Sequence, residues 1–164
     1  MNFINYNKRG FTFLELIVVL AISGILMAAA VPVYGSFQVK LQLLDTSSDV
    51  VQALRTARGQ SLVGLNDSAH GVYFDIDSSG IDSFTIYQGD SYELREVAYD
   101  LTTTLKSSLS ITNSSFTLIG NDIDINFAKG GLSIPNNIGA LTLAHSVTGS
   151  KNVSVNEYGK VEKN

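Results

Sequence analysis

The pattern of apolar and polar positions changes twice along the chain and divides it into three stretches. Residues 16–38 contain no Asp, Glu, Lys, Arg or His. Residues 38–65 carry apolar or small side chains three or four positions apart with polar side chains between them, as in an amphipathic helix. This helical face consists of Leu43, Val50, Leu54, Ala57 and Ser61, flanked by Leu44, Val51 and Leu62. After residue 66 the apolar period falls to two, which is typical of half-buried β-strands.

The alternation with a period of two predicts antiparallel strands separated by polar turns. The predicted strands contain Val72-Phe74-Ile76, Phe84-Ile86, Ile123-Ile125-Phe127, Leu141-Leu143 and Val153-Val155. Residues 92–106 fit a strand, a loop or a short helix, and residues 102–108 are interpreted as a polar connection. A sheet built from these strands has one apolar face, which can cover the amphipathic helix. The sequence therefore predicts an α+β head.

The first stretch is long enough to cross a membrane. A helix needs about 20 apolar residues to span a hydrocarbon core of roughly 30 Å, and residues 11–33 meet that length. Lys8 and Arg9 precede the stretch, and basic flanks favour the cytoplasmic side. We therefore predict a single-pass protein of the cytoplasmic membrane, with its N-terminus in the cytoplasm and its head outside.

Glu15 limits how this N-terminal stretch can be interpreted. A secretory signal peptide cleaved near Ala30, after the run Ala28-Ala29-Ala30, is one interpretation, and an unprocessed signal anchor is another. Neither explains a carboxylate within the apolar run. Such a group costs about 2.5–3.5 kcal/mol near a helix centre, and less near the helix end. A third interpretation, in which the carboxylate has a positively charged partner, is therefore needed.

Residues 8–16, with the sequence KRGFTFLEL, resemble the prepilin processing motif of type IV pilins and of the pseudopilins of type II secretion systems. In that motif a short basic leader ends in Gly, followed by Phe and by Glu at the fifth mature position. The resemblance implies that a prepilin peptidase cleaves between Gly10 and Phe11 and methylates the new amine of Phe11. It also implies that Glu15 neutralises the N-terminal amine of a neighbouring subunit in a filament.

Two further positions match the same family. Gly24 and Pro32 lie within the apolar stretch, where many family members carry residues that weaken a helix. Proline has no backbone N–H and clashes with the preceding turn. The alternative explanation is that Gly and Pro are common in membrane helices generally. The resemblance favours a role in assembly for both positions.

The resemblance and the periodicities together imply a type IV pilin-like fold. It consists of a long N-terminal helix, half transmembrane and half amphipathic, packed on an antiparallel β-sheet head. Gly64 and Asn66 are predicted to end the helix. The predicted divisions are a cleaved leader at residues 1–10, an assembly helix at 11–37, an amphipathic half at 38–65 and a β-rich head at 66–164.

A weaker resemblance narrows the group. Residues 54–61, 125–131 and 153–161 resemble the helix signature and two C-terminal strand-turn elements of the GspH/FimT group of minor pilins and pseudopilins. Gly59 and Gln60 depart from that signature. The chain has no Cys, so it lacks the disulfide-bounded loop of many major pilins. A major pilin remains the alternative within the family.

The charge of the chain bears on a DNA-uptake function, because some FimT-like proteins bind DNA through a basic tail. The 164 residues have net charge −4, and removal of Lys8 and Arg9 leaves nine basic and fifteen acidic residues, net −6. Residues 159–164 contain two Lys and one Glu. Phosphate neutralisation needs clustered basic side chains, so the sequence does not favour DNA binding, which stays an alternative.

Candidate chemical sites in the head are few. Asp75, Asp77 and Ser79, followed by Gly80, resemble the first half of a calcium loop, but the twelfth position is Ile86 instead of Glu. A hairpin turn is the favoured interpretation, because Asp, Ser and Gly favour turns.

Catalytic patterns are also missing from the sequence. The two histidines, His70 and His145, are far apart in the sequence, and there is no Gly-x-Ser-x-Gly pattern. We therefore expect a structural subunit that is not an enzyme and uses no cofactor. Its expected partners are other pilin or pseudopilin subunits, the prepilin peptidase and the inner-membrane assembly platform.

Overall fold

The computed structural model describes residues 10–76, 80–113, 115–147 and 149–164, without the side chains of residues 30–34, 36 and 113. The leader residues Lys8 and Arg9 lie outside this range. Helix α1 spans Phe13–Val63. The chain forms two compact units, which meet in the sequence between Gln38 and Val39. The second unit, Val39–Asn164, is the head.

Within the head, α1 buries the face that the sequence predicted. Leu43, Val50, Leu54, Ala57 and Ser61 are all buried. The flanking Leu44 and Leu62 are exposed, whereas Val51, Ser47 and Ala53 are buried. The buried face therefore includes small side chains between the larger ones.

The helix ends at Val63, and Gly64 has the left-handed conformation that closes many helices. Gly64 has φ 64° and ψ 41°, and its N–H donates to the Ser61 carbonyl at 3.0 Å. A 3₁₀ turn follows at Leu65–Asp67, in which Asn66 also has a positive φ of 54°. Asn tolerates this region better than most residues, which explains why the two predicted terminators work together.

In the part of the chain that the structure describes, eight strands form two four-stranded antiparallel sheets, where the sequence predicted one sheet. The strand bounds are β1 His70–Asp75, β2 Ser83–Gln88, β3 Leu101–Thr104, β4 Leu109–Asn113, β5 Ile123–Phe127, β6 Gly139–His145, β7 Ser150–Val155 and β8 Val161–Lys163. The strand order is β3-β2-β1-β5 in the first sheet and β4-β6-β7-β8 in the second.

The interpretation of residues 102–108 as a polar connection is wrong for its first part. Thr102, Thr103 and Thr104 belong to β3, which pairs with β2 alone among the strands of its sheet. All four β3 residues are exposed, so no apolar alternation marks the strand. Threonine is β-branched and favours strands, and this preference was the indication of β3 in the sequence.

One apolar core joins the helix to both sheets. It contains Leu54 of α1, Phe74 and Ile125 of the first sheet, and Leu141 and Val153 of the second. The predicted alternation is confirmed for the apolar positions of β1, β5, β6 and β7, which are buried apart from the partly buried Ile76 that follows β1. The fold is therefore α+β and type IV pilin-like, with a long N-terminal helix packed on antiparallel sheets.

Candidate functional site

The N-terminal motif begins with a capped helix. The Glu15 N–H donates to Thr12 Oγ1 at 3.2 Å, and the Leu16 N–H donates to the Thr12 carbonyl at 3.2 Å. A Thr side chain directly before a helix satisfies one of the N–H groups that the first turn leaves free. The sequence Thr12-x-x-Glu15 matches a capping box, a signal that the sequence analysis did not use.

This cap places Glu15 in the first turn of α1. A negatively charged side chain in the first turn lies close to the positive end of the helix dipole, which is a favourable position for it. Glu15 is exposed in the first unit. Its charge is therefore available to a group outside this chain.

The predicted cleavage position lies just before the helix. Gly10 and Phe11 are both exposed and have no helical or strand structure. No heavy atom lies within 4 Å of the position that a Cβ on Gly10 would occupy. Proteases prefer exposed peptide bonds outside regular secondary structure, so the local geometry is compatible with cleavage between Gly10 and Phe11.

Phe11 and the first turns of α1 expose apolar side chains, and those of α1 lie on all faces of the helix. Exposed fractions range from 47% for Ile17 to 81% for Phe11. The members are Phe11, Phe13, Leu14, Leu16, Ile17, Val18, Val19, Leu20, Ile22, Ile25, Leu26 and Met27. We call this set the apolar surface. A helix that is apolar all round is typical of a membrane span or of the interior of a helix bundle.

Within the described part of the chain, no helix has the combination of length and hydropathy needed to cross a membrane. The predicted span continues through residues 30–33, whose side chains are not described, and this includes Pro32. Gly24 is in α1, and a Cβ there would meet no atom within 4 Å. No contact described in this chain therefore requires a glycine at that position.

The described structure includes only part of the candidate calcium loop. Asp75 lies at the end of β1, while Asp77 and Ser79 lie outside the described residues. Among the described residues, no group of three or more His, Cys, Asp or Glu side chains could hold a metal ion.

The two histidines lie on different sheets and have different surroundings. His145, in β6, accepts a hydrogen bond at Nδ1 from the Val147 N–H at 3.1 Å. His70, in β1, is buried, and its Nδ1 has no hydrogen-bond partner within the described chain. Burial lowers the pKa of His70, although hydrogen bonds to the Gln88 side chain and the Ser68 backbone oppose that effect.

The C-terminal tail is part of the sheet. Strand β8 pairs with β7, Lys163 Nζ donates to Ser48 Oγ at 2.9 Å, and Lys160 forms an ion pair with Glu162. Both lysines of the tail therefore have partners within the chain.

A cluster of tyrosines and carboxylates covers the outer face of the first sheet, and no pattern in the sequence predicted it. The Tyr73 hydroxyl donates to Asp122 Oδ2 and the Tyr87 hydroxyl donates to Asp124 Oδ1, both at 2.6 Å. The Tyr92 ring stacks on Tyr73 with centroids 3.6 Å apart. These contacts hold the segment after β2 against the sheet.

Burial dominates the electrostatics of this cluster. It raises the pKa of Asp124, with hydrogen bonds from the Tyr87 hydroxyl and the Tyr92 N–H opposing the rise. Burial also raises the pKa of the Tyr87 hydroxyl, and the charge of Asp124 adds to that effect. Asn126 Nδ2 donates to the Tyr87 hydroxyl at 3.1 Å and to the Gly89 carbonyl at 2.8 Å. The described partners of these groups lie within the head, so we assign the cluster a structural role.

Arg95 extends the cluster toward the solvent. Its guanidinium lies 3.7 Å from the centroid of the Tyr92 ring, and its Nε donates to Asp100 Oδ2 at 2.8 Å. Arg95 also donates from a terminal nitrogen to the Tyr92 carbonyl at 2.7 Å. This cation–π and ion-pair arrangement fixes the segment that leads into β3.

Comparison with known proteins agrees with the geometry of the N-terminus. Residues 5–31 match the family model of the prokaryotic N-terminal methylation motif, a range that includes Gly10, Phe11 and Glu15. This motif and the architecture of a helix packed on antiparallel sheets are consistent with a type IV pilin-like fold. The chain is 32% identical over 111 residues to a fimbrial protein of Neisseria meningitidis serogroup A / serotype 4A. Together the motif and this similarity support assignment to the type IV pilin family.

The similarity covers 66% of this chain and 61% of the fimbrial protein, so the chain spans about three fifths of the length of that relative. No solved structure matches the chain significantly.

Proposed function

We propose that this chain is a structural subunit, a minor pilin or a pseudopilin of the GspH/FimT-like group, in a type IV pilus or a type II secretion pseudopilus. The observation that carries the proposal is that the matched methylation motif, residues 5–31, contains the apolar surface. In this proposal a prepilin peptidase cleaves after Gly10 and methylates the amine of Phe11. The chain is a substrate of that enzyme and has no catalytic role itself.

The apolar surface supports assembly because it has no cover within the described chain. Apolar patches of this extent on a protein mark contacts with other proteins or with lipid. In the proposed cycle the helix first lies in the cytoplasmic membrane and then enters a bundle of other pilin helices. The side chains pass from one apolar environment to another, so an assembly platform can move the subunit without exposing them to water.

In that bundle Glu15 forms an ion pair with a neighbouring subunit. Cleavage creates a positive charge at the Phe11 amine, and a carboxylate in the first turn can pair with the amine of a neighbouring subunit. Attraction between opposite charges is strong in an apolar bundle, but removing both charges from water offsets much of the gain. The pair therefore sets the axial register of subunits more than it stabilises them.

The mass of the mature protein tests the processing step. We expect the full chain, produced with a prepilin peptidase, to lose residues 1–10 and to gain one methyl group. A Gly10→Val substitution should block cleavage. A Gly59→Val substitution, at a helical glycine where a Cβ also meets open space, should leave cleavage intact. A product lacking about thirty residues would instead identify a secreted domain cleaved near Ala30.

A further inference from the structure

Two edge strands of the head have backbone groups that are bound by loops of the same chain. Beside β5, the Asn126 N–H donates to Asn136 Oδ1 at 2.8 Å, and the Asn136 N–H donates to the Asn126 carbonyl at 2.9 Å. Beside β4, the Ile111 N–H donates to Asp82 Oδ2 at 2.6 Å. These contacts occupy the sides of β5 and β4 that face away from their sheets.

The other two edge strands, β8 and β3, differ from each other. Beside β8, Arg55 donates to the Val161 carbonyl at 3.2 Å. Strand β3 pairs with β2 on one side, and no described group binds its backbone on the other side. Sheets often protect such an edge with a charge, a proline or a bulge, and the Leu-Thr-Thr-Thr sequence of β3 supplies none of these. Strand β3 can therefore pair with a further strand.

The four residues of β3 form a short edge, so a bound strand also needs contacts with side chains. Thr103 lies opposite Phe84 of the core, and Leu101 lies opposite Ile86, so both side chains are on the inner face of the sheet. Leu101 is 63% exposed. A strand added beside β3 would cover Leu101 and direct every second side chain toward the same face.

A groove lies between α1 and this edge of the first sheet. We call it the Asp49 groove, and it is lined by Asp49, Gln52, Ala53 and Thr56 of α1, Phe84 and Ile86 of β2, and Thr103 of β3. Asp49 is the ionisable member of this lining. It is exposed, and no described residue forms an ion pair with it. The charge of the groove therefore favours a basic side chain on the inner face of an added strand.

The symmetry of the edge argues against a second copy of this chain as the occupant. An antiparallel pair of β3 strands is the arrangement that joins two identical edges by two-fold symmetry. The two-fold axis reverses the direction of β3 and of the helix that packs on its sheet. Subunits of the proposed filament share one direction. On the proposed function, the added strand therefore comes from a different protein.

We propose that β3 accepts one extended strand of a different protein, held by backbone hydrogen bonds along β3 and by a Lys or Arg side chain at Asp49. Strand addition to an exposed sheet edge is a recurrent mode of recognition, in which the main chain gives affinity and alternate side chains give specificity. The choice of a different protein rests on the proposed function. The test below needs no filament, so the two proposals can fail separately.

A titration of the full chain with a model strand tests the proposal. The probe is the peptide acetyl-Thr-Val-Thr-Lys-Thr-Val-Thr-amide, whose Val and Lys side chains share one face when it is extended. Spectra of the ¹⁵N-labelled backbone amides are recorded in dodecylphosphocholine micelles. We expect saturable shifts at residues 101–104. The Asn126 amide, which is already bound to Asn136, is the internal control and should not move.

Methylation of the peptide backbone separates strand pairing from binding through side chains alone. Alternate residues of a strand direct their N–H groups to opposite edges. One peptide is N-methylated at its second, fourth and sixth residues, and another at its third and fifth. We expect one of them to bind at least about tenfold more weakly than the unmodified peptide, because it loses its hydrogen bonds to β3. The other should retain binding.

Charge substitutions test the Asp49 groove. A peptide with Glu in place of Lys should bind more weakly than the Lys peptide. Asp49→Asn should reduce this preference by about two- to fivefold, the range of an exposed ion pair. Asp45→Asn, at an exposed aspartate of α1 outside the lining of the groove, should leave the preference unchanged.

Four outcomes overturn the proposal. The first is the lack of saturable shifts at residues 101–104 with the Lys peptide. The second is equal binding of the two N-methylated peptides, which would show that β3 forms no backbone pairing. The third is an unchanged charge preference in Asp49→Asn. The fourth is a concentration-dependent shift at residues 101–104 without peptide, which would identify a second copy of the chain as the occupant.

Discussion

Two stretches of α1 share a backbone conformation and differ in what covers their side chains. Leu54, in the head, is fully buried in a core shared with both sheets, whereas Leu20, in the first unit, is 63% exposed. The head stretch has apolar or small side chains on one face only. The first stretch has them on every face. One stretch therefore stabilises the fold of the head, while the other has apolar area that no described residue covers.

Matched leucine substitutions in these two stretches should give the largest difference in stability. Leu54→Ala leaves a cavity in the core and should lower the free energy of unfolding of the head by about 2–5 kcal/mol. Leu20→Ala removes no described contact in the head and should change it by less than about 0.5 kcal/mol. Denaturant unfolding of the full chain in micelles, followed by tyrosine fluorescence, measures both. Equal losses would contradict the division of the helix.

Gly71→Ala tests how tightly the outer face of the first sheet is packed. A Cβ at Gly71 would clash with the hydroxyl group and the ring of Tyr87. That hydroxyl is held by Asp124 and Asn126, so the ring cannot move without breaking hydrogen bonds. We expect a loss of about 1–3 kcal/mol in the same unfolding measurement. Gly59→Ala, where the Cβ meets open space, is the control.

Alanine substitutions at two glycines near the end of the helix should change the stability of the head by smaller amounts and in opposite directions. Gly64 has a positive φ, so Gly64→Ala should destabilise the head by about 1 kcal/mol. Gly59 lies inside the helix, so Gly59→Ala should stabilise it by up to about 1 kcal/mol. Thermal unfolding monitored by circular dichroism checks both signs. A stabilising Gly64→Ala substitution would contradict the proposed termination.

The smallest expected effect is the change in the stability of the head with pH. The folded pKa of Asp124 lies above its ordinary value of 3.8, so its contribution to stability is present at low pH and is lost as pH rises through the folded pKa. We therefore expect wild-type stability, relative to Asp124→Asn, to increase as pH falls from about 7 to about 4. Parallel denaturant titrations at each pH measure this difference. A decrease toward low pH would show that Asp124 is stabilised in its charged form instead.

Much of the fold could be predicted because the signals are local. The alternation around Val72 and Ile125, and the helical spacing from Leu43 to Ser61, each follow from one face being buried. The division into two sheets could not be predicted, because the chain pattern does not specify which strands pair. Strand β3 was missed since its exposed threonines show no alternation.

The N-terminal motif was predicted from the sequence, whereas the cluster of tyrosines and carboxylates was not. Gly10, Phe11 and Glu15 lie within six consecutive residues, so a short motif was sufficient to predict them. Thr12 was available from the same stretch through its capping-box spacing. Tyr87 and Asp124 are 37 positions apart in the sequence and meet only because β1 pairs with both β2 and β5. The Tyr73 and Tyr87 hydroxyls alone gave no indication of their partners.

In the proposed function, the apolar stretch and Glu15 serve assembly with other subunits. The most direct measurement is the fraction of the chain recovered in sheared filaments for Glu15→Ala and for Glu157→Ala, an exposed glutamate of the head. We expect Glu15→Ala to reach the membrane fraction normally while its filament fraction falls at least about tenfold, equivalent to about 1.4 kcal/mol. Glu157→Ala should match the wild type in both fractions. Normal incorporation of Glu15→Ala into filaments would contradict the account.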